Sequence, residues 1–175
     1  MKQNSTVKHL AVAGVIAALY CALTLLLPFM TFGPVQCRFS EALTILPVFT
    51  PAAIPGLMVG CLVSNAVGLA TGANVAGGWD LLIGTFATTA AAVLSYLLRN
   101  VRLWKLPVLS TLPPVILNGV LIGLELTLVL YTEFSWGMLL FNMLTVSLGQ
   151  AVACIAGGLL LYSGAQRSKL FERIE

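Results

Sequence analysis

Four ionisable residues stand inside long apolar stretches of this chain. Arg38 and Glu41 lie three residues apart in FGPVQCRFSEALTIL, Asp80 follows Gly77-Gly78-Trp79, and Glu125 lies in ILNGVLIGLEL. Asn65, Asn118, Asn142 and Gln150 add amides in similar surroundings. A charge at the centre of a bilayer costs at least about 2.5 kcal/mol, so each such residue is a functional candidate by default. Carboxylates, one guanidinium and several amides are the equipment for gripping a small polar solute by hydrogen bonds. Each also has a plainer use. Arg38 and Glu41 at i,i+3 spacing would neutralise one another. Asp80 suits a helix N-cap, and Asn65, Asn142 and Gln150 suit interhelical hydrogen bonds. Glu125 has no basic neighbour in its own segment and requires Arg38, a ligand donor or a proton.

Catalytic equipment is not evident. The chain carries no GxxxxGK[ST] phosphate loop and no HExxH, GxSxG or paired-histidine arrangement. Its four cysteines, Cys21, Cys37, Cys61 and Cys154, have no metal-ligand spacing, and His9 has no evident metal partner. We therefore expect no catalytic residues, no metal and no cofactor.

The elements that position these residues follow from hydropathy. The chain has 175 residues, 59% hydrophobic and 9% charged, with a mean hydropathy of +0.99. That composition leaves too little polar surface for a water-soluble domain. The long uncharged runs match the roughly 20 residues that cross a ~30 Å hydrocarbon core. The first run is too long, and lacks the cleavage pattern, for a removed signal peptide. The sequence predicts an all-α, polytopic membrane protein forming one transmembrane domain over 1–175. Its six helices are expected at about 7–27, 36–49, 51–70, 79–98, 108–131 and 134–163. The second is short, since 14 α-helical residues span only ~21 Å; a re-entrant segment also fits its length. Six crossings, however, bring Lys2, Lys8, Arg99, Arg102, Lys105, Arg167, Lys169 and Arg173 to one face. The positive-inside rule makes that face, and both termini, cytoplasmic.

Three connections then face outward: Pro28–Val35, the uncharged ATGANVAGG stretch, and Tyr131–Ser135. The middle one reads either as a mobile flap or as a plain linker. Counting from the outer helix ends at 1.5 Å per residue puts Glu41, Asn65, Glu125 and Asn142 roughly 8–12 Å below the outer surface. Arg38 and Asp80 fall slightly above them. Asn118 lies deeper on the same helix face as Glu125 and is placed to floor a pocket, while Gln150 is either floor or an interhelical bond. In the first helix, Ala13-x-x-x-Ala17-x-x-x-Cys21 and Gly14-x-x-x-Ala18-x-x-x-Ala22 form adjacent rows of small residues. Such rows allow close helix approach, within the bundle or to another membrane subunit.

The string Gly33, Gln36, Arg38, Ser40, Glu41, Ala42, Leu43 resembles the QueT-type queuosine-precursor transporter family. So do GCLVSN (Gly60–Asn65), WDLLIGTFAT (Trp79–Thr88) and ILNGVLIGLEL (Ile116–Leu126). The likeness spans nearly the whole chain in order. It implies a substrate-binding S component of an energy-coupling-factor (ECF) transporter in a bacterial cell membrane. Such a component captures a 7-deazaguanine (preQ0, preQ1 or queuine) from outside. It then docks, through a helix-one surface matching Ala13 and Ala17, onto a T component with two ATPase subunits. No nucleic-acid partner is implied. Glu125 or Asp80 would accept from the base edge, with Asn65, Asn118 and Asn142 completing the bonds and Trp79, or Phe32, stacking on the ring. The rival reading is an autonomous proton-coupled carrier using Glu125 as a relay. A membrane enzyme acting on a lipid is a third class, and no motif favours it.

Overall fold

The computed structural model describes residues 2–33 and 35–168, with side chains from residue 6 onward. Lys169 and Arg173, and the side chain of Lys2, lie outside the described residues. Every long element is helical: α1 (Lys2–Leu26), the single turn α2 (Pro28–Thr31), α3 (Ala53–Ala70), α4 (Gly78–Leu97), α5 (Leu112–Leu130), α6 (Trp136–Ala151) and α7 (Gly158–Ser168). A π-helical turn over Val152–Gly157 joins α6 to α7 in one continuous rod. Among the described residues, five stretches are long and apolar enough to cross a membrane: Thr6–Leu26, Ala53–Ala70, Gly78–Leu97, Val108–Leu130 and Trp136–Ser168. The bundle is inverted relative to a soluble protein. Leu82, Phe86, Leu128, Leu140, Leu144 and Leu160 are exposed, whereas Arg38, Glu41, Asn65, Asp80 and Glu125 are buried.

The segment expected as a second α-helix is instead a ten-residue 3-10 helix, Phe39–Val48. Runs of this kind rarely exceed 3–4 residues. Two features hold this one. Pro47 lies within it and has no N–H to give an α-type bond. Eight of its ten residues are buried, so its carbonyls must find partners inside the protein. The Glu41 carbonyl, for example, accepts from Thr44 Oγ1 (2.6 Å) and Cys154 Sγ (3.5 Å).

Glycines fix the relative direction of the rods. Gly56 lies against Ala13 and Ile16, and Gly60 against Ala17 and Tyr20, so α1 and α3 run parallel. Gly119 lies against Ser147 and Gly123 against Met143, so α5 and α6 run antiparallel. Gly149 meets Gln36 and Cys37 while Gly157 meets Ala42, so the α6–α7 rod runs with the 3-10 helix. Gly68, near the end of α3, touches the Phe32 ring. The chain is thus at one end of the bundle at Phe32 and at the other when α3 begins. Ten residues at about 2.0 Å cover ~20 Å, which matches the ~18 Å between the levels of Gly56 and Gly68 along α3.

Lys8, Arg99, Arg102, Lys105 and Arg167 all belong to one end of the bundle, called the basic end below. Leu103 and Leu106 there exchange backbone hydrogen bonds of 2.9 and 3.0 Å around a two-residue turn. Its central residues, Trp104 (φ 49°) and Lys105 (φ 69°), occupy the left-handed region, which costs a non-glycine residue about 1–2 kcal/mol.

Candidate functional site

Buried polar side chains collect in two tiers between the 3-10 helix, α1, α3, α4 and α5. The upper tier forms around Arg38, the residue before the 3-10 helix. Its Nη2 pairs with Asp80 Oδ2, its Nη1 donates to Asn65 Oδ1 (3.3 Å), and its guanidinium carbon lies 5.7 Å from the centre of the Phe32 ring. Asn65 Nδ2 donates to the Asp80 carbonyl (2.7 Å), and Asn74 Nδ2 donates to Asp80 Oδ2 (2.9 Å). Arg38 and Asp80 are almost wholly buried, so their pairing is screened by protein rather than water. Gly84 makes room for the group: a Cβ there would strike Asp80 Oδ1 and come within 3.0 Å of Asn65 Nδ2.

Arg38 is therefore not neutralised by Glu41. Asp80 is not an N-cap either: Gly77 takes that position, and the Asp80 carboxylate turns inward to Arg38 and Asn74. First-turn placement still lets the α4 dipole favour its charge.

Glu41 sits in the lower tier, deeper than the sequence placed it. Its Oε1 accepts from the Tyr20 hydroxyl and from Thr88 Oγ1 (2.8 Å), with Asn118 beside it. Thr88 is eight residues, or ~12 Å, further along α4 than Asp80. Glu41 and Asn118 thus share one level. The cause is local: residues 28–33 form a turn and residues 36–38 an extended stretch at the far end, so Glu41 enters the bundle already on its way down.

Glu125 faces the space between the tiers and the α4–α5 seam, within Coulombic reach of Asp80 and Arg38. It also lines a groove of about 340 Å³ formed with Leu82, Ile83, Phe86, Leu121, Leu124 and Leu128. Neither Glu125 oxygen has a hydrogen-bond partner, although the residue is 2% exposed. Asp80 Oδ1, Glu41 Oε2, Asn118 Nδ2, Gln36 Nε2 and Arg38 Nε are likewise buried and unpartnered. Buried polar atoms normally find partners, so each of these exceptions calls for one, whether an ordered water, an ion or a ligand.

Other expected residues have different surroundings. Trp79 is 63% exposed and does not enter the cluster, because neighbouring positions on a helix diverge and Asp80 takes the inward one. Phe32 and Tyr20 are the buried aromatic residues beside the cluster, Phe32 at Arg38 and Tyr20 at Glu41. Asn142 Nδ2 donates to Thr127 Oγ1 (2.9 Å) across the α5–α6 seam. Gln150 Oε1 accepts from Cys154 Sγ (3.6 Å) one turn along its own rod. Ala13 is buried beneath α3 and Ala17 is half buried against Gly60, so that row serves the α1–α3 seam. Of the two rows of small residues in α1, the exposed one is Gly14, Ala18 and Ala22.

Tyr20, Thr88 and Asn74 join the cluster without having been expected there. Tyrosine and threonine are tolerated in apolar spans and give no alarm in a hydropathy reading. Asn74 lies in the uncharged stretch between α3 and α4, which is tied down: Ala73 and Asn74 N–H groups bond the Gly68 carbonyl (2.9 and 3.1 Å), and Val75 N–H bonds the Phe32 carbonyl (3.3 Å). Among the described residues, no group of three or more His, Cys, Asp or Glu side chains is placed to hold a metal ion.

No curated protein and no solved structure matches the chain. A family model described as QueT transporter matches residues 10–166. The matched residues run through all five membrane-length helices of the described residues, and the chain belongs to the QueT transporter family.

Proposed function

We propose that this protein is the substrate-capturing S component of an ECF-type importer for a 7-deazaguanine queuosine precursor or salvage base. The observation that carries this reading is the set of buried, unpartnered acceptors: both oxygens of Glu125, Asp80 Oδ1 and Glu41 Oε2. A guanine-like edge presents N1–H and N2–H₂ donors, and one carboxylate accepts them as a bidentate pair. Carbon in place of N7 removes an acceptor that an arginine fork would want, leaving O6 for a single amide or Arg38 donor. The unpartnered amide nitrogens of Asn118 and Gln36 suit that oxygen. Glu125 or Asp80 takes the base edge, and Arg38, Glu41, Asn65 and Asn118 complete the shell. Phe32 replaces Trp79 as the aromatic surface. Asn142 and Gln150 act from behind, by fixing the seams.

In the same reading the 3-10 helix is a sixth crossing, supported by the parallel course of α1 and α3 on either side of it. Six crossings keep the basic end cytoplasmic, with both termini, in the cell membrane. The site then opens toward the outside, beneath the 71–77 turn. ATP hydrolysis belongs to two partner ATPases joined through a T component. Docking on α1 uses the exposed Gly14, Ala18 and Ala22, with Ala17 at the edge and Ala13 supporting from within. The test is uptake of labelled preQ1 and queuine into vesicles. ATP-dependent uptake that requires the partner subunits supports the proposal. Uptake by this chain alone, driven by a proton gradient, would replace it with an autonomous carrier using Glu125 as its relay.

A further inference from the structure

The basic end carries a groove outside the polar cluster. A groove of about 570 Å³ runs along the outside of the α6–α7 rod, lined by Ala151, Val152, Ala156, Leu160 and Ser163 and closed by Leu106. From Ala151 to Ser163 it is about 18 Å long, close to the ~15 Å hydrocarbon depth of one leaflet. The lining is apolar along its length, and its lower end meets cations. Lys105 immediately precedes Leu106, and Arg102 donates to the Tyr162 hydroxyl (2.6 Å) next to Ser163. The four described carboxylates lie elsewhere, Glu41, Asp80 and Glu125 inside the bundle and Glu133 at the far turn.

The turn carrying Lys105 adds an independent observation. Two-residue turns with positive φ at both central positions favour Asn-Gly, yet this one holds Trp104 and Lys105, with Trp104 89% exposed. Closing the chain alone would be served better by Asn-Gly. The residues present are those that suit a headgroup layer: an indole at the interface and an ammonium for phosphate.

We propose that this groove and turn bind one anionic phospholipid, an acyl chain lying along the α6–α7 rod and the phosphate held by Lys105 and flanked by Arg102 and Trp104. Native mass spectrometry of the full chain in mild detergent, with equimolar phosphatidylglycerol and phosphatidylcholine added, tests it. A basic residue near a charged headgroup contributes about 1 kcal/mol, so phosphatidylglycerol should be retained about fivefold over phosphatidylcholine. The double substitution Trp104→Asn/Lys105→Gly keeps the turn and relieves its strain. It should bring retention to parity while leaving the melting temperature equal or higher; Lys105→Gln gives the same lipid readout should the double variant fail to fold. Ala156→Phe, which fills the groove, should lower retention of both lipids. Parity in the native protein, or a preference that survives loss of Lys105, overturns the proposal. So does loss of partner-subunit binding with lipid preference intact, which would make the turn a protein-docking surface.

Discussion

Replacing Asp80 by Asn should destabilise the protein by about 3–5 kcal/mol. Asp80 is fully buried, and its Oδ2 receives both Arg38 Nη2 and Asn74 Nδ2. Asparagine keeps the shape but removes the carboxylate, leaving a guanidinium that is 2% exposed without its directly paired countercharge. An exposed pair would lose under ~1 kcal/mol; burial is what raises the figure. The double variant Arg38→Gln/Asp80→Asn removes both charges and should recover much of the loss, with a coupling of about 2–3 kcal/mol. Unfolding titrations in mixed detergent–SDS micelles, followed by helicity, measure all four corners of the cycle. A single variant within ~1 kcal/mol of the native protein, or a double variant no better than the sum of the singles, would show that Arg38 and Asp80 do not depend on one another.

Three further substitutions test the surroundings. Gly84→Ala drives a Cβ onto Asp80 Oδ1 and should cost about 1–3 kcal/mol in the same titration, with ligand binding weakened as well. Tyr20→Phe removes one of the two hydroxyls on Glu41 Oε1; unfolding should become easier by about 1.5–3 kcal/mol, and an unchanged midpoint would contradict the lower tier. Asn142→Leu breaks the bond to Thr127 and should cost only ~0.6 kcal/mol, with ligand affinity changed less than threefold; a tenfold loss would move Asn142 into the site.

Much of this arrangement was legible in the sequence, for physical reasons. Apolar runs of membrane length stand out because lipid admits few charges, and the same rule singled out Arg38, Asp80 and Glu125. The 3-10 helix was not legible. Its ten residues are too few for an α-helical crossing, and the greater rise that lets them return the chain depends on burial and on partners such as Thr44 and Cys154. That change of geometry also shifted Glu41 to the level of Asn118. Trp79 misled because adjacency in sequence to Asp80 is divergence on a helix. Tyr20 and Thr88 were hidden because hydroxyl groups in apolar spans usually bond their own helix, and only the fold aims these two at Glu41.

Equilibrium binding of preQ1 and queuine to purified native protein and to Glu125→Gln asks whether the buried carboxylates grip a donor-rich base. Loss of a charged acceptor is worth about 1.5–3 kcal/mol, so the variant should bind roughly tenfold to 150-fold more weakly. Equal affinity in both proteins would remove Glu125 from the site, and no binding of either base to the native protein would rule out a 7-deazaguanine site.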